Sequence, residues 1–294
     1  MERIMMNYTN QTYDKERALY GISKARVADC SFDGPADGES ALKETSDIFV
    51  ERCYFNLRYP FWHTRSAIIE DSTMNEGCRA ALWYDENITL KGCQMKGIKA
   101  LRECHGNIVL DNCEIHSPEF AWKCSDLQIR NCCLESEYPF FECRDMEINN
   151  LTMTGKYSFQ YIANTVMRNS NLDTKDAFWH SKNVTVTDSV VRGEYLGWYS
   201  ENLRLIRCRI IGTQPLCYCK GLVLQDCTME QTDLAFENSE VHAVVSGRID
   251  SVKNPFYGEI HADSIGELIL EKDRINPADT KIICGQSVHK TECA

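Results

Sequence analysis

Six charged or imidazole side chains recur at nearly regular intervals in the first third of the chain. They are Lys43, His63, Arg65, Asp85, Glu103 and His105. Histidine titrates near neutral pH, and a carboxylate beside an imidazole orients the ring and shifts its pKa. We therefore predict an acid–base site in which His63 or His105 carries the proton and Asp85 orients the imidazole.

Further polar and aromatic residues lie close to these side chains in the sequence. We predict that a shallow face binds a ligand through Lys43, Glu44, Trp62, Arg65, Tyr84, Arg102 and Glu103. An oligosaccharide or another small polar ligand suits such a face, because its hydroxyl groups pair with polar side chains and its rings lie on aromatic ones. A second interpretation stays open, in which these charges belong to an ordinary surface near turns and bind nothing.

The elements that would position these residues follow from an internal repeat. The motif apolar-x-apolar-x-x-Cys-x-apolar recurs as DIFVERCYF, NITLKGCQM, NIVLDNCEI, NLRLIRCRI and GLVLQDCTM. From Cys113 onward its Cys position returns at a constant interval, at Cys132, Leu151, Ser170, Ser189, Cys208 and Cys227. So short a unit has no room for paired helices, and its Val, Ile, Thr and aromatic residues alternate with period two, which is typical of strands.

A six-residue corner segment precedes each motif, for example FWHTRS from Phe61, ALWYDE from Ala81, LRECHG from Leu101 and FAWKCS from Phe120. Strand alternation predicts that its positions 1, 3 and 5 face inward. Position 5 is then Arg65, Asp85 and His105 in three adjacent coils, which would stack about 5 Å apart as a ladder. The coils in this stretch are slightly longer than those from Cys113 onward, and a slip of one residue would turn these side chains to solvent.

Residues that favour sharp turns stand just before the Cys column. They are Gly92, Asn112, Asn131, Asn150, Asn169 and Asp188. Stacked coils would pair as parallel sheets, and such crossovers are right-handed. We predict an all-β fold, a single-stranded right-handed parallel β-helix or solenoid of about 12 coils with about 19–20 residues in each.

The repeat also predicts the domain organisation of a single solenoid. Residues 1–17 form an N-terminal cap, 18–240 the coils, 241–284 tapering coils with a C-terminal cap, and 285–294 a disordered polar tail. Caps cover the open strands at the ends of a solenoid and prevent end-to-end pairing.

The chain contains sixteen cysteines, and small apolar side chains of this kind stack well inside a narrow solenoid. We predict a core ladder that contains Cys30, Cys53, Cys93, Cys113, Cys132, Cys208 and Cys227. Cys217 and Cys219 form a C-x-C pair that also occurs in metal and redox sites, but zinc needs two further ligands. We predict no metal and no cofactor.

Composition and charge disfavour several classes of partner. The formal net charge is −11 and no cluster of Lys and Arg offsets it, so we predict no binding to nucleic acid. No run approaches the roughly 18 apolar residues of a membrane span, and residues 1–10 lack an apolar leader pattern. We predict a cytoplasmic protein, without contact to a membrane and without disulfides.

Large side chains at positions 2 and 4 of the corner segments are predicted to face outward. They are Trp62, Leu82, Tyr84, Phe140, Phe178, His180, Tyr199, Leu216 and Tyr218. Three interpretations stay open: the row stacks on sugar rings, it forms a protein interface such as a homo-oligomer contact, or part of it lies in the core.

The chain as a whole resembles the pectate-lyase-like superfamily of single-stranded right-handed β-helices. Within it, GESALKE, KDAFWHS, GEYLGW and ADSIGELILEKDR resemble an uncharacterised bacterial family known only as a domain of unknown function. The superfamily implies carbohydrate chemistry by analogy, although its polygalacturonase motifs N-T-D, G-H-G and R-I-K are absent from this sequence. The resemblance favours a carbohydrate-binding or carbohydrate-active protein. The alternative is a non-catalytic scaffold or protein-interaction solenoid, and whether the chain is an enzyme stays open.

Overall fold

Parallel strands make up almost all of the regular structure. The computed structural model describes residues 5–285 and 289–293, and the strand pairings described in it are parallel. The predicted all-β parallel solenoid is confirmed, with about 15 turns instead of the 12 predicted. The chain divides into two compact units, unit 1 (Met1–Thr152) and unit 2 (Met153–Ala294).

Unit 1 is built from short strands, most of them two to six residues long. They are β1 (Met6–Thr9), β2 (Thr12–Tyr13), β3 (Ser23–Ala28), β4 (Ser31–Phe32), β5 (Ser46–Glu51), β6 (Tyr54–Phe55), β7 (Phe61–Trp62), β8 (Arg65–Glu70), β9 (Thr73–Met74), β10 (Leu82–Trp83), β11 (Glu86–Lys91), β12 (Gln94–Met95), β13 (Leu101–Arg102), β14 (Ile108–Asp111), β15 (Glu114–His116) and β16 (Ser125–Ser136). A short 3-10 helix, Glu76–Cys78, lies between β9 and β10.

Strand β17 (Arg144–Gly155) begins in unit 1 and ends in unit 2, which contains the remaining strands. They are β18 (Ala163–Arg168), β19 (Asn171–Asp173), β20 (Lys182–Thr187), β21 (Val190–Arg192), β22 (Glu201–Ile206), β23 (Arg209–Ile211), β24 (Leu222–Glu230), β25 (Glu240–Lys253), β26 (Tyr257–Glu271), β27 (Thr280–Cys284) and β28 (His289–Cys293). A second 3-10 helix, Pro277–Asp279, precedes β27.

The apolar positions of the repeat motif stack on one another between coils. In unit 1, Ile48 lies opposite Ala67, which lies opposite Ile88. Val50 and Ile69 form the next such pair two residues along, and all these side chains are buried. Burying an aliphatic side chain of this size contributes about 1.5–3 kcal/mol, so the motif positions form the core of each coil, as their alternation predicts.

The predicted turn residues adopt the backbone conformation that the coil requires. Gly92, Asn112, Asn131, Asn150, Asn169 and Asp188 all have φ between 51° and 61°. Asn and Asp tolerate this left-handed region better than most residues. The amide of Asn150 also donates to Oδ1 of Asn131 at 2.9 Å, so one coil fixes the turn of its neighbour.

The predicted cysteine ladder lies in the core. Its members are at most 3% exposed: Cys30, Cys53, Cys93, Cys113, Cys132, Cys208 and Cys227. All seven are free thiols. Cys217 and Cys219 are equally buried, and burial raises the pKa of Cys217 to about 12, which favours the uncharged thiol over the thiolate that binds metals.

Small polar side chains in the buried columns accept hydrogen bonds from the preceding coil. Ser72 Oγ accepts from the backbone N–H of Cys53 at 3.0 Å, and Ser239 Oγ accepts from the N–H of Cys219 at 2.9 Å. These amides are buried at a corner, where an unsatisfied N–H would be costly. This need explains why Ser and Cys recur in the buried columns.

Paired strands extend further into both ends of the chain than the sequence predicts. In the segment predicted as the N-terminal cap, β1 already pairs with β3. In the segment predicted to taper, β25 and β26 are the longest strands of the chain. The tail predicted to be disordered contains β28, which pairs with β26, because backbone pairing needs a free strand edge and not an apolar sequence. Residues 286–288 and 294 of that tail lie outside the described residues.

No helix within the described ranges has the length and apolar character that a membrane crossing requires. The cytoplasmic location stays a prediction.

Candidate functional site

The corner segments do not alternate as strands do. In the coil that begins at Phe120, positions 1 and 2 are buried, Trp122 is half-buried, Lys123 is exposed and Cys124 is buried. Ala121 and Lys123, at positions 2 and 4, have φ of 55°. A left-handed residue reverses the side-chain direction that a strand would give. Positions 1, 2 and 5 therefore face inward, whereas positions 3 and 4 face outward.

Because positions 1 and 2 are both buried, a large apolar residue fits either of them. Phe61, Leu82 and Leu101 lie opposite one another, so all three occupy position 2. The segments predicted to begin at Phe61 and Leu101 thus begin one residue earlier. The same correction applies to the segment predicted from Phe159, since Phe178 donates its N–H to the carbonyl of Ser158.

With this correction, Arg65, Asp85 and His105 do not share one column, and the predicted ladder does not form. The residue opposite Arg65 is Glu86, which in turn lies opposite His105. Arg65 is exposed and its Nε lies 3.8 Å from Glu86 Oε2. Asp85 belongs to the buried column at position 5, with Thr64 and Cys104 as its neighbours in the adjacent coils.

Asp85 is the one carboxyl group in a column that otherwise holds mostly Thr, Cys and Ser. Its side chain is fully buried, and Oδ1 accepts from the N–H of Thr64 at 2.7 Å. Within residues 5–285, Oδ2 has no hydrogen-bond partner. Burial raises the pKa of Asp85 well above its usual range, because the charged form would lose its hydration without gaining a cation. Asp85 therefore accepts a hydrogen bond from a neighbouring coil, as Ser does elsewhere in the buried columns, and does not contact solvent.

The outward column at position 3 of unit 1 contains both aromatic rings and cations. Lys43 Nζ lies 4.1 Å from the ring centroid of Trp62, and Trp62 stacks on Trp83 at 5.5 Å. Arg102 follows, with its guanidinium 5.1 Å from the ring of Trp122. Cation–π contacts of this kind contribute about 0.5–1 kcal/mol at exposed sites. This column thus contains three of the predicted ligand residues, Lys43, Trp62 and Arg102.

Four more of the predicted residues lie in the neighbouring outward column, at position 4: Glu44, His63, Tyr84 and Glu103. His63 stacks on Tyr84 with ring centroids 5.3 Å apart. Interaction with the carboxylate of Glu103 raises the pKa of Tyr84. Glu44 accepts from the hydroxyl of Tyr20 at 2.6 Å. The structure therefore groups His63, Tyr84 and Glu103 and separates them from Asp85 and His105.

A groove of about 510 Å³ opens beside these two columns. Its lining residues are Tyr59, Arg79, Ala80, Trp83, Ile98, Lys99, Arg102, Glu103 and Glu119. Only Arg102 and Glu103 were predicted as ligand residues. The others, apart from Trp83, lie in connections between coils, where the repeat carries no signal. An available clue was the spacing, since the interval from Trp62 to Trp83 is longer than the interval from Trp179 to Trp198.

Charges in the groove are partly compensated. Glu119 lies 3.4 Å from Arg102 and 3.5 Å from Lys99, and Glu103 lies 3.5 Å from Arg102. Arg79 forms no ion pair within the described part of the chain. Three cations therefore face two carboxylates, which leaves the groove with an excess of positive charge in a chain whose net charge is −11.

The indole groups beside the groove differ from those of the regular coils. Trp122 Nε1 donates to the carbonyl of Tyr138 at 2.6 Å, one coil ahead. Among residues 5–285, the buried Nε1 atoms of Trp62 and Trp83 have no acceptor. Leaving a buried donor unsatisfied costs about 1–3 kcal/mol, so the coils at the groove are not optimised for their own hydrogen bonding.

The side chains predicted to form an outward row separate into two sets. Leu82, Phe140, Phe178 and Leu216 at position 2 are core residues. The left-handed backbone of Phe140, Phe178 and Leu216 directs these three inward. In unit 2, the rings at position 4 stack outside. Their centroids are 4.9 Å apart for Tyr161 and His180, 5.0 Å for His180 and Tyr199, and 4.9 Å for Tyr199 and Tyr218.

A family model described as "Protein of unknown function (DUF3737)" matches residues 6–283. The chain belongs to this DUF3737 family. The predicted resemblance to a domain of unknown function is thereby confirmed. No curated protein matches the sequence of this DUF3737 member.

Several solved structures resemble this chain only distantly. The Streptococcus pneumoniae surface adhesin PfbA is 9% identical, with 83% of this chain and 77% of that chain covered and a TM-score of 0.32. The A-module of the Azotobacter vinelandii mannuronan C-5 epimerase AlgE4 is 11% identical, with 98% and 87% covered and a TM-score of 0.27. QnrB1, a plasmid-mediated fluoroquinolone resistance protein, is 10% identical, with 95% and 90% covered and a TM-score of 0.21. Similarity at this level indicates nothing about function.

Proposed function

We propose that this DUF3737 protein binds a carbohydrate in the groove of unit 1. The observation that carries the proposal is the lining itself, in which Tyr59, Trp83 and Ile98 stand beside charged side chains in a single concavity. Its volume of about 510 Å³ falls in the range of small-molecule sites. A sugar has apolar ring faces and polar hydroxyl edges, and this mixture of aromatic and charged groups complements both.

The two kinds of lining group have different tasks in this proposal. Trp83 and Tyr59, whose ring centroids are 5.8 Å apart, provide the apolar contact surface. Glu103 and Glu119 accept hydrogen bonds from sugar hydroxyls, and their ion pairs with Arg102 and Lys99 hold them in place. His63 and Tyr84 extend the polar rim, since Tyr84 interacts with Glu103.

Binding is proposed here, and no reaction step. The predicted catalytic pair needs a carboxylate that touches an imidazole and the ligand. Asp85 is fully buried, so it meets neither requirement, and His105 lies opposite Glu86 in another column. Catalytic roles for His63 and His105 stay predictions from the sequence.

Isothermal titration calorimetry with tetrasaccharides of glucose, N-acetylglucosamine and galacturonic acid tests the proposal. We expect at least one of them to bind the full chain, and Trp83→Ala and Tyr59→Ala each to weaken binding at least tenfold. Trp198→Ala is the matched control, because Trp198 has the same position in a coil of unit 2. Circular dichroism checks that each variant is folded.

Two results would contradict carbohydrate binding at this groove. One is that none of the three tetrasaccharides binds the wild-type chain. The other is that Trp198→Ala weakens binding as much as Trp83→Ala and Tyr59→Ala do.

A homo-oligomer contact through unit 2 is the second candidate function. The stacked rings of Tyr161, His180, Tyr199 and Tyr218 favour it over a sugar platform, because each inner ring face is already covered by a neighbour at 4.9–5.0 Å. The row therefore offers ring edges, which pair with polar groups of a protein surface. Sedimentation velocity should show an oligomer that Tyr199→Ala converts to a monomer. A wild-type monomer at high concentration would exclude this contact.

A further inference from the structure

We propose that the groove selects a ligand with an anionic substituent, a carboxylate or a phosphate, and that Arg79 binds this substituent. The inference rests on the proposed carbohydrate binding and specifies its ligand class. It concerns a residue that lies outside the repeat, in the short connection between β9 and β10.

Arg79 is the cation of the groove without a carboxylate partner. Lys99 and Arg102 both pair with Glu119, and Arg102 also pairs with Glu103. The guanidinium of Arg79 has no ion pair in the described ranges and is exposed at the groove. A guanidinium presents a planar fork of donors that matches a carboxylate or a phosphate, so an anion of the ligand would take the place that a glutamate has beside Arg102.

The backbone at Arg79 is strained. Its φ is 56° and its ψ is −89°, a combination that is rare for residues with a side chain and lies outside the left-handed helical region. The turn residues before the Cys column that share a positive φ are mostly Asn, Asp or Gly, with Arg52 and Arg207 as exceptions, and Arg tolerates such angles less well. Strain of this kind persists where the surroundings enforce it, and it is concentrated at ligand-binding positions.

Neighbouring residues hold Arg79 in this conformation. Its N–H donates to the carbonyl of Glu76 at 3.2 Å, and its carbonyl accepts from the N–H of Lys99 at 2.9 Å. Gly97 lies directly against the same peptide, since a Cβ on Gly97 would be 2.5 Å from the carbonyl oxygen of Arg79. The glycine is therefore required for the close approach, and the two coils together fix the point from which the guanidinium reaches into the groove.

Calorimetry with glucose, glucuronic acid, glucose 6-phosphate and inorganic phosphate tests the selection. We expect glucuronic acid or glucose 6-phosphate to bind the full chain at least tenfold more tightly than glucose, and Arg79→Gln to remove that preference. Arg130→Gln is the matched control, because Arg130 is an exposed arginine of the same unit outside the groove. The comparison of the two charged sugars identifies which anion is preferred.

A second variant separates recognition from folding. Arg79→Gly should lose the preference for anions as Arg79→Gln does, but it should raise the melting temperature, because glycine adopts these angles without strain. Arg79→Gln retains a side chain at the strained position and should leave the melting temperature nearly unchanged.

The possible outcomes distinguish this inference from the carbohydrate proposal. Equal affinity for glucose and the two charged sugars, or an anion preference that survives Arg79→Gln, overturns the inference and leaves carbohydrate binding intact. Binding of inorganic phosphate that depends on Arg79, with no added affinity from the sugar ring, supports the anion site and contradicts the carbohydrate proposal. Binding of none of the four compounds overturns the inference, whereas the tetrasaccharide titrations decide the carbohydrate proposal independently.

Discussion

The Trp62 and Trp83 coils of unit 1 and the Trp179 and Trp198 coils of unit 2 use the same corner segment in different ways. In unit 2, Trp179 and Trp198 stack at 5.5 Å, and each indole N–H donates to a carbonyl of the next coil, at 2.7 and 2.8 Å. In unit 1, Trp62 and Trp83 stack at the same distance, but neither indole N–H finds an acceptor among residues 5–285. The same stacking therefore occurs with and without internal hydrogen bonding.

Coil length also differs between these two regions. Position 3 advances by the same step from Gln160 to Trp179 and on to Trp198, but the step from Trp62 to Trp83 is longer. The added length belongs to the connection that contains the 3-10 helix and Arg79. The Trp179 and Trp198 coils satisfy their own indole donors. The coil that begins at Trp62 leaves its indole N–H without an acceptor among residues 5–285, and its longer connection contributes Arg79 to the groove.

The largest stability difference between the units should come from position 5, where unit 1 has Asp85 and unit 2 has Ser181 and Ser200. We expect Asp85→Ser to raise the free energy of unfolding by about 1–2 kcal/mol at pH 7, because Ser retains an acceptor for Thr64 and removes the unpaired Oδ2. Asp85→Ala lacks that acceptor and should be about 1–3 kcal/mol less stable than Asp85→Ser. Urea denaturation at pH 7 measures both.

The stabilisation by Asp85→Ser should depend on pH. Burial raises the pKa of Asp85 in the folded chain, so the folded state binds its proton more tightly than the unfolded state does. The wild type therefore loses stability as the pH rises above the unfolded pKa of about 4. The advantage of Asp85→Ser should be smaller at pH 4 than at pH 7, and an advantage that is constant over this range would show that the carboxyl is not buried.

A matched pair of Trp→Phe variants tests the indole hydrogen bonds. Trp198→Phe removes the indole N–H that donates to the backbone carbonyl of Gln214. It should therefore lower the free energy of unfolding by about 1 kcal/mol in addition to the packing loss. Trp83→Phe removes a donor without a partner and should cost less. Urea midpoints compare the two variants, and a larger loss for Trp83→Phe would contradict the contrast between the units.

The smallest effect is expected at the pair that the sequence analysis placed in a ladder with Asp85. Arg65 is 75% exposed and lies 3.8 Å from Glu86, and His105 is exposed as well. Surface pairs of this kind contribute at most about 0.5–1 kcal/mol. We expect Arg65→Gln and His105→Gln each to change the free energy of unfolding by less than about 0.5 kcal/mol. A larger loss would mean that these residues have partners beyond Glu86.

The sequence predicts most reliably what every coil repeats. Three features recur in many coils: the buried motif positions, the cysteine ladder and turn residues of the type of Asn112 and Asn131. In each coil the same packing requirement selects the same residue type. These assignments need no knowledge of any single coil. The parallel solenoid follows from them directly.

The register of the corner segments could not be read in the same way. Positions 1 and 2 are both buried, so Phe61 and Leu101 fit either, and only the strand pairing distinguishes them. The left-handed residues that break the alternation include Phe140 and His180, which give no sequence signal for such a conformation. Arg79 and Lys99 were not predicted for another reason. They lie in connections between coils, where residue types do not repeat, so an unusual residue cannot be recognised.

The hydrogen bonds that satisfy the buried corner amides all run in one direction. Cys53 depends on Ser72, Thr64 on Asp85, and Cys219 on Ser239, so each acceptor arrives one coil after its donor. During synthesis a coil therefore cannot complete its own interior until the next coil has emerged from the ribosome. Truncation at the two ends therefore has different effects. Removing coils from the carboxyl end leaves a buried N–H without its acceptor in the last remaining coil. Removing coils from the amino end removes donors and leaves no such N–H unsatisfied.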